Sequence, residues 1–165
     1  MKATNLKVAI VAVVATVAAF GSSMVLWPAP PNFTPPPSLL PFFVGLGIIE
    51  SLAFGLGVAF LIFGLPLVRQ TGVGPLAAWG GYLGIAWSLV NWWAHDGFHR
   101  VTGLNLNGLV RIEYGFHFTL IMGGVLTAFF FLSVARGATR AGARVAAEQR
   151  PQGGQAPSAS SVSTP

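Results

Sequence analysis

Residues 42–68 read FFVGLGIIESLAFGLGVAFLIFGLPLV, an apolar run in which Glu50 is the single charged residue. A helix needs about 20 mostly apolar residues to cross the hydrocarbon core of a bilayer, because its backbone polar groups find partners there only within the helix. The run exceeds that length. It therefore predicts a membrane-spanning helix that carries an ionisable side chain inside the bilayer.

Three further apolar runs are also long enough to span a bilayer, and they occupy residues 8–27, 76–99 and 109–135. Hydrophobic residues make up 53% of the chain and charged residues 8%, and the mean hydropathy of +0.69 is too high for an ordinary soluble domain. We expect an all-α, multi-pass integral protein of the cell membrane. Residues 8–135 would form a four-helix up-and-down bundle.

Positive charges predict the orientation of this bundle. One end of the predicted helices carries Lys2, Lys7, Arg69, Arg136, Arg140 and Arg144. Cytoplasmic loops are enriched in lysine and arginine, so this end is predicted to face the cytoplasm, together with both termini. The N-terminus comprises residues 1–7. The tail, 136–165, begins basic and then becomes a polar stretch with too few apolar residues to fold, so we expect it to be disordered.

The first apolar run allows two interpretations. A basic start, the apolar stretch VAIVAVVATVAAF and the small residues GSS also form the pattern of a cleaved signal peptide. The run continues to Trp27 and reaches spanning length, which favours a retained helix. The sequence leaves this choice open.

The ionisable side chains of the predicted helices converge on the outer side. Glu50 lies about 12 Å into the second helix, at 1.5 Å per residue. The stretch WWAHDGFHR at 92–100 and the stretch RIEYGFH at 111–117 together contain all three histidines of the chain. An acid or histidine inside a membrane helix is costly and usually functional. We therefore predict that the second, third and fourth helices form one polar functional site at their outer ends. The simpler alternative is that these side chains only form a hydrogen-bond network between the helices.

The spacing of these residues is suited to metal binding. His95 and His99 are separated by four positions, as are Glu113 and His117, so each pair shares a helix face. The candidate metal ligands are His95, His99, His117, Glu113 and Asp96. Glu50 and Glu113 are the candidate catalytic acids or proton acceptors. Asp96 has a second possible role, which is to accept the N–H of a ligating histidine.

The donor types limit the cofactor to a transition-metal ion. Imidazole and carboxylate suit iron, copper, zinc or manganese, and the sequence does not choose among them. The chain has no cysteine, which excludes thiolate ligands. A haem held by His99 and His117 is disfavoured by their shallow depth and by the nearby carboxylates.

Two short motifs resemble known metal sites. HDGFH at 95–99 resembles the HxxxH box of the membrane fatty-acid desaturases and hydroxylases, whose histidine boxes hold two irons. That family has many more histidines than the three present here. Glu113 and His117 resemble the Glu-x-x-His of carboxylate-bridged di-iron bundles, although their spacing is one residue longer and the second copy is missing.

Three functions are compatible with these observations. The first is a metal-dependent enzyme, oxidative or hydrolytic, that acts on a lipophilic small molecule from the bilayer. The second is a non-catalytic accessory subunit that contacts a membrane-protein partner or another copy of itself, for which glycine-rich helices are suited. The third is a proton-coupled transporter, which the lack of an internal repeat disfavours. No basic patch interleaved with aromatic residues is present, so we expect no nucleic-acid partner.

Overall fold

A computed structural model describes residues 3–28, 30 and 35–148, and every regular element in those ranges is helical. The elements are α1 (Ala3–Leu26), a 3-10 turn (Pro37–Leu39), α2 (Leu40–Arg69), α3 (Pro75–Thr102), α4 (Leu106–Ile112), a π-helical turn (Glu113–His117) and α5 (Phe118–Glu148). The predicted all-α class is confirmed. The predicted disorder at the end of the tail falls on residues 149–165, outside the described ranges.

Three of the described helical segments are long and apolar enough to cross a membrane: Thr4–Leu26, Pro37–Arg69 and Leu106–Ala147. These segments coincide with the first, second and fourth predicted spans. The third span corresponds to α3, which is not among them. Its tryptophan, glycine, asparagine and histidine residues lower its hydropathy.

The four long helices pack in a row that follows the chain order. α1 packs on α2, α2 on α3, and α3 on α5, whereas α1 and α5 share no comparable interface within the described residues. The four-helix arrangement is therefore open rather than closed into a ring. Large apolar side chains are exposed along α1, α2 and α5. In lipid this exposure carries no penalty, because the acyl chains are as apolar as the side chains that they contact.

Glycines allow the helices of this row to approach closely. A Cβ at Gly55 would lie 2.8 Å from the backbone nitrogen of Thr16, so α2 and α1 meet backbone to backbone. Gly80 and Gly84, which form a GxxxG motif, face α5, and a Cβ at Gly84 would lie 2.6 Å from the carbonyl oxygen of Gly123. Because the residues at these contacts are small, the helix backbones approach closely and van der Waals packing extends over a large part of each helix surface.

α3 continues without a break through Gly97 to Thr102. A glycine within a helix lowers its stability but does not by itself end it. His95 and His99 therefore remain four positions apart on one helix face, as their spacing predicts. The helix also runs beyond the predicted end of the third span at residue 99.

The fourth predicted span is not a uniform α-helix. It contains the π-helical turn Glu113–His117, a rare geometry that is often found at functional sites. The hydroxyl of Thr119 donates to the carbonyl oxygens of Gly115 (2.7 Å) and Phe116 (3.0 Å), two residues of this turn. These bonds satisfy carbonyl groups at the point where the helical pattern changes.

α5 extends past the predicted end of the fourth span at residue 135. The helix includes Arg136 and Arg140 and ends at Glu148. The first part of the predicted tail is therefore helical. A basic, alanine-rich segment has good helix propensity, and the preceding helix removes the cost of starting a new one.

Candidate metal centre

The three histidines of the chain meet at one point between α3 and the π-helical turn. The Nε2 atom of His95 lies 2.9 Å from Nε2 of His117 and 3.1 Å from Nε2 of His99. One ring nitrogen of each histidine lies within 4.8 Å of the other two, so the trio can hold a metal ion. The three histidines, which were predicted on two separate helices, thus lie together in the structure. We call His95, His99 and His117 the histidine trio.

Two carboxylates contact the opposite sides of the histidine rings. Nδ1 of His95 lies 3.0 Å from Oδ1 of Asp96, and Nδ1 of His117 is hydrogen-bonded to Oε2 of Glu113. An ionised carboxylate only accepts hydrogen bonds, so in each pair the imidazole Nδ1–H donates. Both acids were predicted as candidate ligands. The geometry places them behind the histidines, where they fix which ring nitrogen carries the proton.

The site becomes more exposed from α3 toward the π-helical turn. His95 is buried, with 7% of its surface exposed, whereas the side chain of Glu113 is 54% exposed. The rings of Trp92 and Phe116 stand at 5.9 and 5.8 Å from the His95 ring. Apolar walls on the buried side lower the local dielectric, which strengthens polar interactions there.

The end of α1 supports the back of the site. A Cβ at Gly97 would lie 2.6 Å from the indole ring of Trp27, so only glycine leaves room for that ring. The Trp27 ring also packs against Phe98 at 4.7 Å and Trp93 at 5.8 Å. In the sequence, Trp27 was identified only as the end of the first apolar run. Its contact lies on α3 between His95 and His99, which makes α1 part of the structure around the trio.

Glu50 is close to the trio but does not belong to it. The residue is 8% exposed, on the face of α2 that packs against α3. It lines a cavity of about 250 Å³ together with Asp96, His99 and Arg100. The predicted catalytic acid of α2 therefore shares a cavity with one histidine of the trio, whereas Glu113, the other candidate, lies at the exposed side of the site.

Two buried polar residues below the site were not assigned a role from the sequence. Asn91 and Ser51 are each 1% exposed, and within the described residues neither side chain finds a hydrogen-bond partner. Asn91 lies one helical turn before His95 on the same face of α3. The signal that could have identified Asn91 is an amide side chain in an otherwise apolar segment. Burial of an amide without a hydrogen-bond partner costs free energy, so its presence there indicates a role.

Comparisons of the chain with protein-family models, curated proteins and solved structures give no match. The fold and the site therefore define the class of protein by themselves. In the described part of the chain it is an all-helical protein with three helices able to cross a membrane and a histidine trio able to hold a metal ion.

Proposed function

We propose that the protein is an integral membrane metalloprotein that holds one divalent transition-metal ion on the histidine trio. The observation that supports this proposal most strongly is the distance between the Nε2 atoms of the histidines. Imidazole nitrogens bind first-row metals at about 2.0–2.1 Å, so two of them on one ion stand about 2.9 Å apart at a right angle and about 3.4 Å apart at the tetrahedral angle. The separations of His95 from His117 (2.9 Å) and from His99 (3.1 Å) fall in this window, and the three ligand nitrogens all lie within 4.8 Å of one another, so binding by all three brings His99 and His117 closer together.

The proton positions also support a cation at this point. A neutral imidazole carries one N–H, and in His95 and His117 the carboxylates of Asp96 and Glu113 hold it on Nδ1. The two Nε2 atoms then face each other with lone pairs at 2.9 Å. Two lone pairs at that distance repel unless a cation lies beside them. A metal ion bound between the rings removes this repulsion. A second proton on one of the rings would also remove it, and metal analysis distinguishes the two cases.

The donor set favours certain metals and leaves coordination positions open. Three imidazoles with both carboxylates outside the trio suit zinc, copper or iron better than manganese, which prefers oxygen ligands. Three protein ligands leave at least one position for another molecule, as in catalytic zinc sites. An ion bound there would act as a Lewis acid on an oxygen atom of that molecule. Metal-dependent catalysis is the activity that we propose.

The proposal includes four membrane spans with both termini in the cytoplasm. α3 has 28 residues, which corresponds to about 42 Å and exceeds the bilayer core of about 30 Å. Its neighbours on both sides, α2 and α5, belong to segments able to cross a membrane. Arg136 and Arg140 of α5 line one cavity with the α2–α3 turn, so these positive charges lie at one end of the row, opposite the histidine trio. The positive-inside rule then places the trio near the outer leaflet.

Metal analysis of the purified protein tests the proposal. The protein is prepared in detergent with an affinity tag that lacks histidine, washed with a weak chelator and analysed by mass spectrometry for metals. We expect about one ion per chain, since one trio supplies one site, and its loss in His95→Ala and His117→Ala. Tyr114→Phe is the matched control, because Tyr114 lies in the same π-helical turn and is 76% exposed.

Two results would overturn the proposal. One is wild-type protein that stays free of metal after incubation with zinc, copper and iron salts. The other is equal metal content in the wild type and in both histidine variants, which would locate the ion elsewhere. Circular dichroism of each variant verifies that the helices are retained.

A further inference from the structure

The cavity next to the histidine trio has the dimensions of a head-group site. It measures about 250 Å³ and lies between α2 and the last turns of α3. Its walls include Phe43, Leu46, Glu50, Asp96, His99 and Arg100. Small-molecule sites usually measure about 300–1,000 Å³, so this cavity accommodates a polar head group rather than a whole lipid.

The cavity walls contain apolar surface, hydrogen-bond acceptors and hydrogen-bond donors. Glu50 and Asp96 offer carboxyl oxygens, and Arg100 offers guanidinium N–H groups. Within the described residues no carboxylate lies at ion-pair distance from Arg100, whose Nη1 donates to the sulfur of Met24 at 3.6 Å. The guanidinium is therefore available to a ligand. Phe43, 42% exposed, gives the opening an apolar side.

The charges in the cavity favour an uncharged ligand. An anion would meet the carboxyl groups of Glu50 and Asp96, and a cation would meet the guanidinium of Arg100. Either mismatch in a partly buried site costs binding free energy. A hydroxyl group avoids both, because it donates to a carboxyl oxygen and accepts from the guanidinium.

We propose that this cavity binds the hydroxyl head group of an uncharged amphiphile, whose apolar chain extends past Phe43 into the bilayer. His99 belongs both to the cavity wall and to the histidine trio, so the head group lies beside the metal position. This placement next to an ion rests on the function proposed above. The binding of the head group does not depend on it.

Gly47 provides a direct way to block the cavity. It lines the cavity, and a Cβ added there meets no atom within 4 Å. Gly47→Leu therefore adds apolar volume to the cavity, and its Cβ meets no packed neighbour. Gly45→Leu is the matched control, because a Cβ at Gly45 also meets no atom within 4 Å. Two positions along a helix correspond to a rotation of about 200°, so the control side chain points away from the cavity.

Quenching of tryptophan fluorescence by a hexyl-substituted bromophenol measures the binding. Trp27 and Trp93 line a small pocket that shares Glu50 and Arg100 with the cavity, so a bromine atom bound there lies near two indole rings. The titration is made on wild-type protein and on both glycine variants, each with metal and after chelation. Metal content is measured on the same samples. The bromobenzene of the same chain length without a hydroxyl group, and the corresponding benzoate, are the comparison probes.

We expect saturable quenching of the wild type by the bromophenol, with affinity reduced on the order of tenfold or more in Gly47→Leu and unchanged in Gly45→Leu. Both comparison probes should bind more weakly. Saturable binding that survives in Gly47→Leu, or equal binding of the probe without a hydroxyl group, would overturn the proposal. Metal-loaded protein that shows no saturable quenching would refute the cavity proposal and leave the metal site standing. Protein that takes up no metal on incubation with zinc, copper and iron salts but still binds the phenol would refute the metal site and leave the head-group site standing.

Discussion

Removal of the negative charge behind each histidine tests how the carboxylates act. Asp96→Asn and Glu113→Gln keep the size of the side chain and its acceptor oxygen, but they remove the charge that strengthens the hydrogen bond to Nδ1. Loss of such a partner behind a metal ligand typically weakens metal binding by about 10- to 100-fold. At about 1.4 kcal/mol per factor of ten, this corresponds to about 1.4 to 2.7 kcal/mol.

Burial decides which of the two substitutions has the larger effect. In the first pair, the side chains of His95 and Asp96 are 9% and 33% exposed. In the second pair, those of His117 and Glu113 are 39% and 54% exposed. Water screens the second pair more strongly, so its hydrogen bond contributes less. We expect Asp96→Asn to fall near the hundredfold end of the range and Glu113→Gln near the tenfold end.

Competition with a coloured chelator of known affinity measures both dissociation constants in detergent. Unchanged affinity in both variants would refute the role of the carboxylates as acceptors for the histidine N–H groups. Loss of the ion in Glu113→Gln, as complete as in His117→Ala, would show instead that Glu113 is a direct ligand. The order of the two effects is a separate test, because a larger effect at Glu113 contradicts the burial reasoning.

Two further predictions concern the fold. Gly84→Ala should destabilise the packing of α3 on α5 by about 1–3 kcal/mol, because its Cβ would meet the carbonyl oxygen of Gly123 at 2.6 Å; the thermal midpoint should fall clearly below that of Gly45→Ala, and equal midpoints would contradict the close contact. Single cysteines report the topology without background, since the chain has none: in intact cells, a membrane-impermeant maleimide should label Leu104→Cys but not Gln70→Cys, and the reverse result would invert the orientation.

The helices could be predicted because the apolar composition that indicates them extends over many residues. The apolar runs correspond to helical segments of the structure, and the spacing of the histidines on α3 can be read without any tertiary information. A period of 3.6 residues follows from helical geometry alone, and so does the shared face of His95 and His99. What the sequence does not contain is the rotation of one helix against the next, on which the meeting of His117 with His95 depends.

Two local features escaped prediction for physical reasons. The π-helical turn at Glu113–His117 depends on one extra residue in a helical turn, and no residue type marks it in the sequence. The contact of Trp27 with Gly97 joins residues far apart in the chain, so only the packing of α1 reveals it. The open row of helices was equally hidden, because apolar residues that face lipid and apolar residues that face a neighbouring helix look alike in composition.

X-ray absorption spectroscopy of the metal-loaded protein tests the central claim most directly, because it counts the atoms bound to the ion. With the trio as the ligand set, the spectrum should show about three imidazole nitrogens at about 2.0–2.1 Å, and His117→Ala should lower the imidazole contribution or abolish binding. A shell of oxygen atoms without imidazole scattering, or a spectrum unchanged in His117→Ala, would contradict a metal centre built on His95, His99 and His117.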